Sequence, residues 1–161
     1  MILLFPTDNG VSTLFTVRRK DLTDHAGQIS FPGGKRDDDE TFEATALREC
    51  EEEVGIGREQ IDVLGSLSTL FIPPTRFQVH PFVGAVYTRP SIVPQETEVE
   101  DVLEVPLRLL RMPETRKTET WTIRGESSTV PFFRVDDHVI WGATAMITSE
   151  LLALLDREPA S

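Results

Sequence analysis

One stretch constrains this chain more than any other: the turn Phe31-Pro32-Gly33-Gly34, the acidic run Asp37-Asp38-Asp39-Glu40, and the segment Arg48-Glu49-Cys50-Glu51-Glu52-Glu53-Val54-Gly55. The acids before Thr41 favour a helix N-terminus and Gly55 supplies a stop, which predicts a helix from Thr41 to Val54. At about 100° per residue, Phe42, Ala46, Leu47, Cys50 and Val54 fall within roughly 140° of helix surface and predict a core-facing stripe. Glu49 and Glu53, four residues apart, lie on one line inside or beside that stripe, whereas Glu51 lies more nearly opposite it. A solvated face would carry its acids away from the core. Like charges at this spacing repel by roughly 0.2–0.5 kcal/mol on an exposed helix, and by more near a buried edge unless a cation sits between them.

Carboxylates converging from one helix turn are hard oxygen ligands, which suit Mg²⁺ or Mn²⁺. Arg48 lies one turn from Glu52 and can orient it. In the glycine turn a backbone carbonyl could complete a metal shell, and backbone amides could approach phosphate. Charge sharpens the point. Of a formal net charge of -11, the segment 37–62 carries nearly all, with eleven acids against Arg48 and Arg58. Such a surplus opposes nucleic-acid backbones and anionic membranes unless something local reverses its sign.

With 161 residues and no interdomain linker, repeat or low-complexity segment, residues 1–161 are expected to form one domain. The single cysteine, Cys50, excludes an internal disulfide, and Met1 to Phe5 is too short for a signal or spanning segment, so a cytoplasmic protein is expected. Strand-prone runs are Ile2–Phe5, Thr13–Val17, Val63–Phe71, Val79–Tyr87, Val102–Val105, Thr120–Ile123 and Val130–Val135. A second helix is predicted from Ala143 to Leu155, and a helical turn at Pro106–Leu110. Strands with one helix inserted early and one at the end suggest an α/β (α+β) sandwich with a mixed sheet.

Gly34, Glu40 and the run Arg48-Glu49-Cys50-Glu51-Glu52-Glu53-Val54-Gly55-Ile56 together resemble the Nudix box, the signature of hydrolases that cleave a diphosphate linked to another moiety. The one mild departure is Cys50, where an aliphatic residue is more usual, and it is read as a small core side chain. The resemblance implies the Nudix fold, a mixed sheet between helices. It makes Glu49 and Glu53 metal ligands, with Glu52 a third ligand or the base acting through water. It adds the Gly34 carbonyl as a ligand and has Arg48 and Glu40 hold the helix and loop in place.

Upstream, Leu14-Phe15-Thr16-Val17-Arg18 followed by His25-Ala26-Gly27-Gln28-Ile29-Ser30-Phe31-Pro32-Gly33-Gly34 is similar to the additional motif of the coenzyme A pyrophosphatase branch, departing from it at Phe15, Arg19 and Thr23. Thr23 stands where the motif has an arginine, which Arg19 could replace if the loop allowed. The likeness continues through Arg76–Gly84, Glu98–Leu107 and Ile140–Ala145. It implies metal-dependent hydrolysis of coenzyme A or acyl-coenzyme A to 4′-phosphopantetheine, or its acyl form, and adenosine 3′,5′-bisphosphate. Arg18, Arg19, Lys20, Lys35 and Arg36, with Gly33 and Gly34, are the candidates for receiving phosphates. Glu98 is either a further carboxylate of the site or an exposed loop acid. His25 and His80 are either phosphate or base contacts or structural histidines. A Nudix pyrophosphatase for another nucleoside diphosphate derivative or a nucleoside triphosphate remains the nearest alternative, and a silent nucleotide-binding module the remote one. The expected partner is a small nucleotide, with neither nucleic acid nor membrane; oligomeric state is not legible.

Overall fold

The computed structural model describes residues 1–21, 27–73, 75–123 and 125–157; Thr23 and His25 lie outside them. In chain order the elements are β1 (Ile2–Thr7), β2 (Gly10–Arg18), β3 (Ile29–Ser30), α1 (Phe42–Val54), a 3-10 turn at Arg58–Gln60, β4 (Asp62–Ser66), β5 (Leu70–Ile72), β6 (Phe77–Val79), β7 (Phe82–Ala85), β8 (Val99–Pro106), α2 (Leu107–Arg111), β9 (Arg116–Ile123), β10 (Glu126–Val135), β11 (His138–Trp141) and α3 (Gly142–Leu155).

Helix α1 begins where the sequence predicts. Thr41 stays extended and its hydroxyl oxygen accepts from the Ala44 N–H at 3.1 Å, satisfying one of the orphan donors of the first turn. It ends at Gly55, whose φ of 71° is the left-handed cap conformation and whose N–H donates to the Glu51 carbonyl.

The central sheet is mixed. Strand β1 pairs antiparallel with β2 and parallel with β7 (Ile2 opposite Val83), and β7 pairs antiparallel with β4. Ser12 and Thr13 of β2 pair with both β1 and β8, so those two strands occupy opposite edges of β2. Further along, Thr16 and Val17 pair with β8 and with β3, so β3 takes over the edge that β1 leaves. This handover brings the chain past β3 straight into the glycine turn beside α1.

Alternation along β1 and β2 sorts the core into two layers. Leu3, Phe5 and Leu14 pack with Ala46, Cys50 and Val54 of α1. Ile2, Phe15 and Val17 pack with Leu107 and Leu110 of α2 and Ala145, Leu151 and Leu152 of α3. Helices therefore cover both faces of a mixed sheet, as expected. A separate antiparallel sheet, β9-β10-β11, adds Phe133 and Ile140 to the second layer.

Several expectations are corrected. Phe42 is 41% exposed and lies outside the core stripe; its ring stacks on His80 at 3.7 Å between centroids, with the Arg36 guanidinium 4.8 Å from it. The run Val63–Phe71 divides into β4 and β5, and Val79–Tyr87 is interrupted at His80-Pro81. Among the described residues no helix is long and apolar enough to cross a membrane.

Candidate active site

Burial of the helix acids follows the stripe. The Glu53 residue is 8% exposed and the Glu49 side chain 15%, whereas Glu52 is 56% exposed and Glu51 reaches outward to Arg58 at 3.2 Å. Glu53 accepts a hydrogen bond from the Gly33 N–H at 3.1 Å, which ties the glycine turn to the helix. At Gly34 a Cβ would run into the Glu49 carboxylate, so a larger residue there would push that carboxylate from its place beside Arg48. Cys50, fully buried, has its thiol pushed up to about 12 by desolvation, which fits a core side chain and not a nucleophile.

Arg48 meets Glu52 one turn on, as the sequence spacing predicts, and is the hub of a wider network. Its guanidinium donates to Glu40 at 2.9 and 3.1 Å, to Glu49 at 2.8 Å, to Glu52 at 3.0 Å and to the Lys35 carbonyl at 3.2 Å. Five donors in a planar fork can serve four partners at once, which an ammonium could not. The Arg48 bond, with help from the Thr45 hydroxyl, holds the Glu40 carboxyl down at about 2. Turn, acidic run and helix are thus one hydrogen-bonded unit.

Electrostatics set the two inner acids apart. Burial pushes the Glu53 carboxyl up to about 7 against the stabilising Gly33 bond, and the Glu49 and Glu98 charges push the same way. Burial also raises Glu49, opposed by Arg48. The Glu98 charge reaches both acids, and its own carboxylate lies 4.0 Å from Arg18. Glu49, Glu52, Glu53 and Arg48 are therefore brought together with Gly33 and Gly34, and Glu98, with Arg18 beside it, lies within electrostatic reach of them.

Other candidates are not brought there. Arg19 is committed to Asp21 at 2.7 and 2.8 Å and to the Glu96 carbonyl at 2.9 Å, so it does not replace the arginine missing at Thr23. Lys35 enters the network through its backbone carbonyl. His80 stacks on Phe42 and meets the Thr69 hydroxyl through Nδ1 at 3.4 Å, while its buried Nε2 has no hydrogen-bond partner among the described residues.

The donor set is all oxygen: Glu49, Glu53, Glu52 and the carbonyls of an exposed glycine turn. That suits a hard divalent cation, and a cation would relieve the unfavourable burial of Glu49 and Glu53. Among the described residues no three acid, histidine or cysteine side chains are grouped so as to hold a metal ion by themselves, and the Arg48 guanidinium engages Glu49 and Glu52.

Comparison with known proteins bears on family and fold. The NUDIX domain family matches residues 1–125. The chain is 34% identical over 167 residues to Nudix hydrolase 22, chloroplastic, of Arabidopsis thaliana, covering 99% of this chain and 55% of that protein. It is 38% identical over 139 residues to the Nudix hydrolase NudL of Photorhabdus laumondii, covering 86% and 74%. The chain thus spans little more than half the length of the plant relatives it matches. Among solved structures, a MutT/nudix family protein from Enterococcus faecalis superposes with a TM-score of 0.60 at 17% identity, over 98% of this chain and 61% of that one, a likeness of fold.

Proposed function

The chain belongs to the Nudix hydrolase family, enzymes acting on phosphoric anhydrides, and from that membership we propose that it hydrolyses the diphosphate bond of coenzyme A or an acyl-coenzyme A. Residues 1–161 are read as one domain; the core layer that joins Ile2 and Phe15 to Leu151 and Leu152 supports this.

The observation that carries the reading is the pairing of β2 with β3, Thr16 opposite Ser30 and Val17 opposite Ile29. It joins the two halves of the upstream motif, Leu14–Arg18 and Gln28–Gly34, into one unit that leads directly to Glu49 and Glu53.

Family members generally need a divalent cation. Mg²⁺ or Mn²⁺ would be held here by Glu49, Glu53, Glu52 and the Gly34 carbonyl, and would supply neutralisation of the diphosphate oxygens and acidification of water. The chain's own contribution is positioning. Arg48 fixes Glu49 and Glu52 in direction, and Glu53 clamps the turn through Gly33. The exposure of Glu52 supports a role in taking the proton of the attacking water, and Glu98 borders the same space. Arg18 and the Gly34 amide would face the phosphates, the Gly33 N–H being taken by Glu53. The products would be 4′-phosphopantetheine, or its acyl form, and adenosine 3′,5′-bisphosphate.

A second reading, a pyrophosphatase for another nucleoside diphosphate derivative, is favoured by the engagement of Arg19 with Asp21, which leaves the motif's second arginine without a substitute there. Incubation with Mg²⁺ or Mn²⁺ and a panel of coenzyme A, acetyl-coenzyme A, NADH, ADP-ribose and oxidised dNTPs separates the two. Efficient cleavage of coenzyme A is expected; failure to cut it while another substrate turns over sinks the first reading.

A further inference from the structure

The chain has two tryptophans, and they meet. Trp121 of β9 lies opposite Ser128 and Trp141 of β11 opposite Phe132, and those two positions of β10 are four residues apart on one face. The indoles touch edge to face, 5.7 Å between centroids, and Trp121 also leans on Phe132 at 5.2 Å. This is the face opposite Phe133, which points into the core. Trp141 is 36% exposed. Both indoles line a cleft of about 580 Å³ that contains none of Glu49, Glu52 or Glu53.

The other walls give the cleft its chemistry. Val17 and Ile29 form an apolar floor, and Glu100, Asp101 and Asp137 bring carboxylates to the rim. Lys20, the lysine of this lining, is taken by Glu100 at 3.6 Å. A rim of this sign repels phosphate and carboxylate groups and accepts hydrogen bonds from ring amines. An aromatic platform with an exposed indole stacks flat heterocycles. An acyl chain would find acids where it needs aliphatic walls.

The cleft also lies close along the chain to the site. Glu98, whose charge reaches the helix acids, and Glu100, at the rim, stand two positions apart, and Arg18 and Val17 flank them on β2. We propose that this cleft receives the amine-bearing base of the nucleotide substrate, stacked on the exposed Trp141 indole with Trp121 edge-on beside it and its exocyclic amine toward the rim carboxylates. The proposal rests on the nucleotide-substrate reading above but not on coenzyme A in particular.

Because both tryptophans line the cleft, intrinsic fluorescence of the full chain reports on it directly. Titration with AMP should quench it saturably, IMP should bind several-fold more weakly because it presents a carbonyl in place of the amine, and ribose 5-phosphate should leave the emission unchanged. Trp141→Ala should raise KM for the best substrate of the panel at least about fivefold, the lower end of what one lost base–indole stack costs, with kcat within about twofold. Trp141→Phe should restore most of the affinity. Equal responses to AMP and ribose 5-phosphate, or an unchanged KM in a folded Trp141→Ala protein, would overturn the assignment. AMP-specific quenching without coenzyme A turnover removes only the coenzyme A reading; coenzyme A turnover without base-dependent quenching removes only the cleft.

Discussion

Glu53→Gln separates stability from activity. In the folded chain without metal, burial and the neighbouring Glu49 and Glu98 charges lift the Glu53 carboxyl from an ordinary value near 4.5 to about 7. Below pH 4.5 it is protonated in both folded and unfolded chains and costs nothing. Between pH 4.5 and 7 the unfolded chain ionises first, so the fold loses stability, and above 7 the whole penalty is present, roughly 3 kcal/mol. Glutamine cannot ionise, and its amide oxygen can still accept from the Gly33 N–H. In EDTA at pH 8 the variant should therefore melt about 6–12 °C above the parent, the shift expected for a chain of this size, and at pH 4 the two should coincide. Mg²⁺ should raise the parent's Tm and leave the variant's nearly unchanged, while turnover of the variant falls by orders of magnitude. Thermal unfolding by circular dichroism at the two pH values, with and without metal, is the assay. A variant less stable than the parent at pH 8 in EDTA, or a gap identical at pH 4 and pH 8, refutes the burial argument; near-normal turnover removes Glu53 from the metal site.

Three further outcomes follow from the same network. Glu40, held down at about 2 by Arg48, contributes stability that is present above pH 4.5 and lost as pH falls through 2; Glu40→Gln should lower Tm at pH 6 by an amount that shrinks on approach to pH 2, read by acid titration of both proteins. Gly34→Ala brings a Cβ against the Glu49 carboxylate in an exposed turn, so it should reduce turnover at least about tenfold while Tm changes little; unaltered kinetics would mean the turn can shift freely. Gly55→Ala forces a side chain into the left-handed region with its Cβ about 3.0 Å from that of Val93, and should cost about 1–2 kcal/mol in urea unfolding with kcat largely intact.

How much of this was legible depended on whether the determining contacts were local. Helix α1 could be read because its cap, its stripe and its stop lie within fifteen residues of one another, and 3.6-residue periodicity puts Glu49 and Glu53 at the core edge without knowledge of the sheet. The Arg48 hub was legible for the same reason toward Glu52, but its bonds to Glu40 and the Lys35 carbonyl depend on how the turn folds back. Phe42 was misread because the stripe continues past the sheet that would cover it; its partner, His80, comes from the interruption between β6 and β7, which the apolar run around it conceals. Strands β3 and β11, two and four residues long, are too short to show alternation and exist because β2 and β10 offer them an edge.

The same distinction separates the two halves of the substrate problem. The chemistry proposed for the diphosphate lies in one helix and one turn, so its signature survives as a motif that a reader of the sequence can find. Recognition of what is attached to the diphosphate is distributed: Trp121 and Trp141 stand twenty residues apart and become neighbours only because β10 lies between them with Ser128 and Phe132 in register. Acid placement also differs in kind between the two. Around Glu49 and Glu53 carboxylates are buried against their own electrostatic preference, which a bound cation would relieve; at the cleft rim Glu100, Asp101 and Asp137 sit in reach of water and need no cation. The acids of residues 37–62 are thus suited to drawing phosphates in through a metal, and the rim acids, outside that segment, to keeping phosphates out of the pocket proposed for a base.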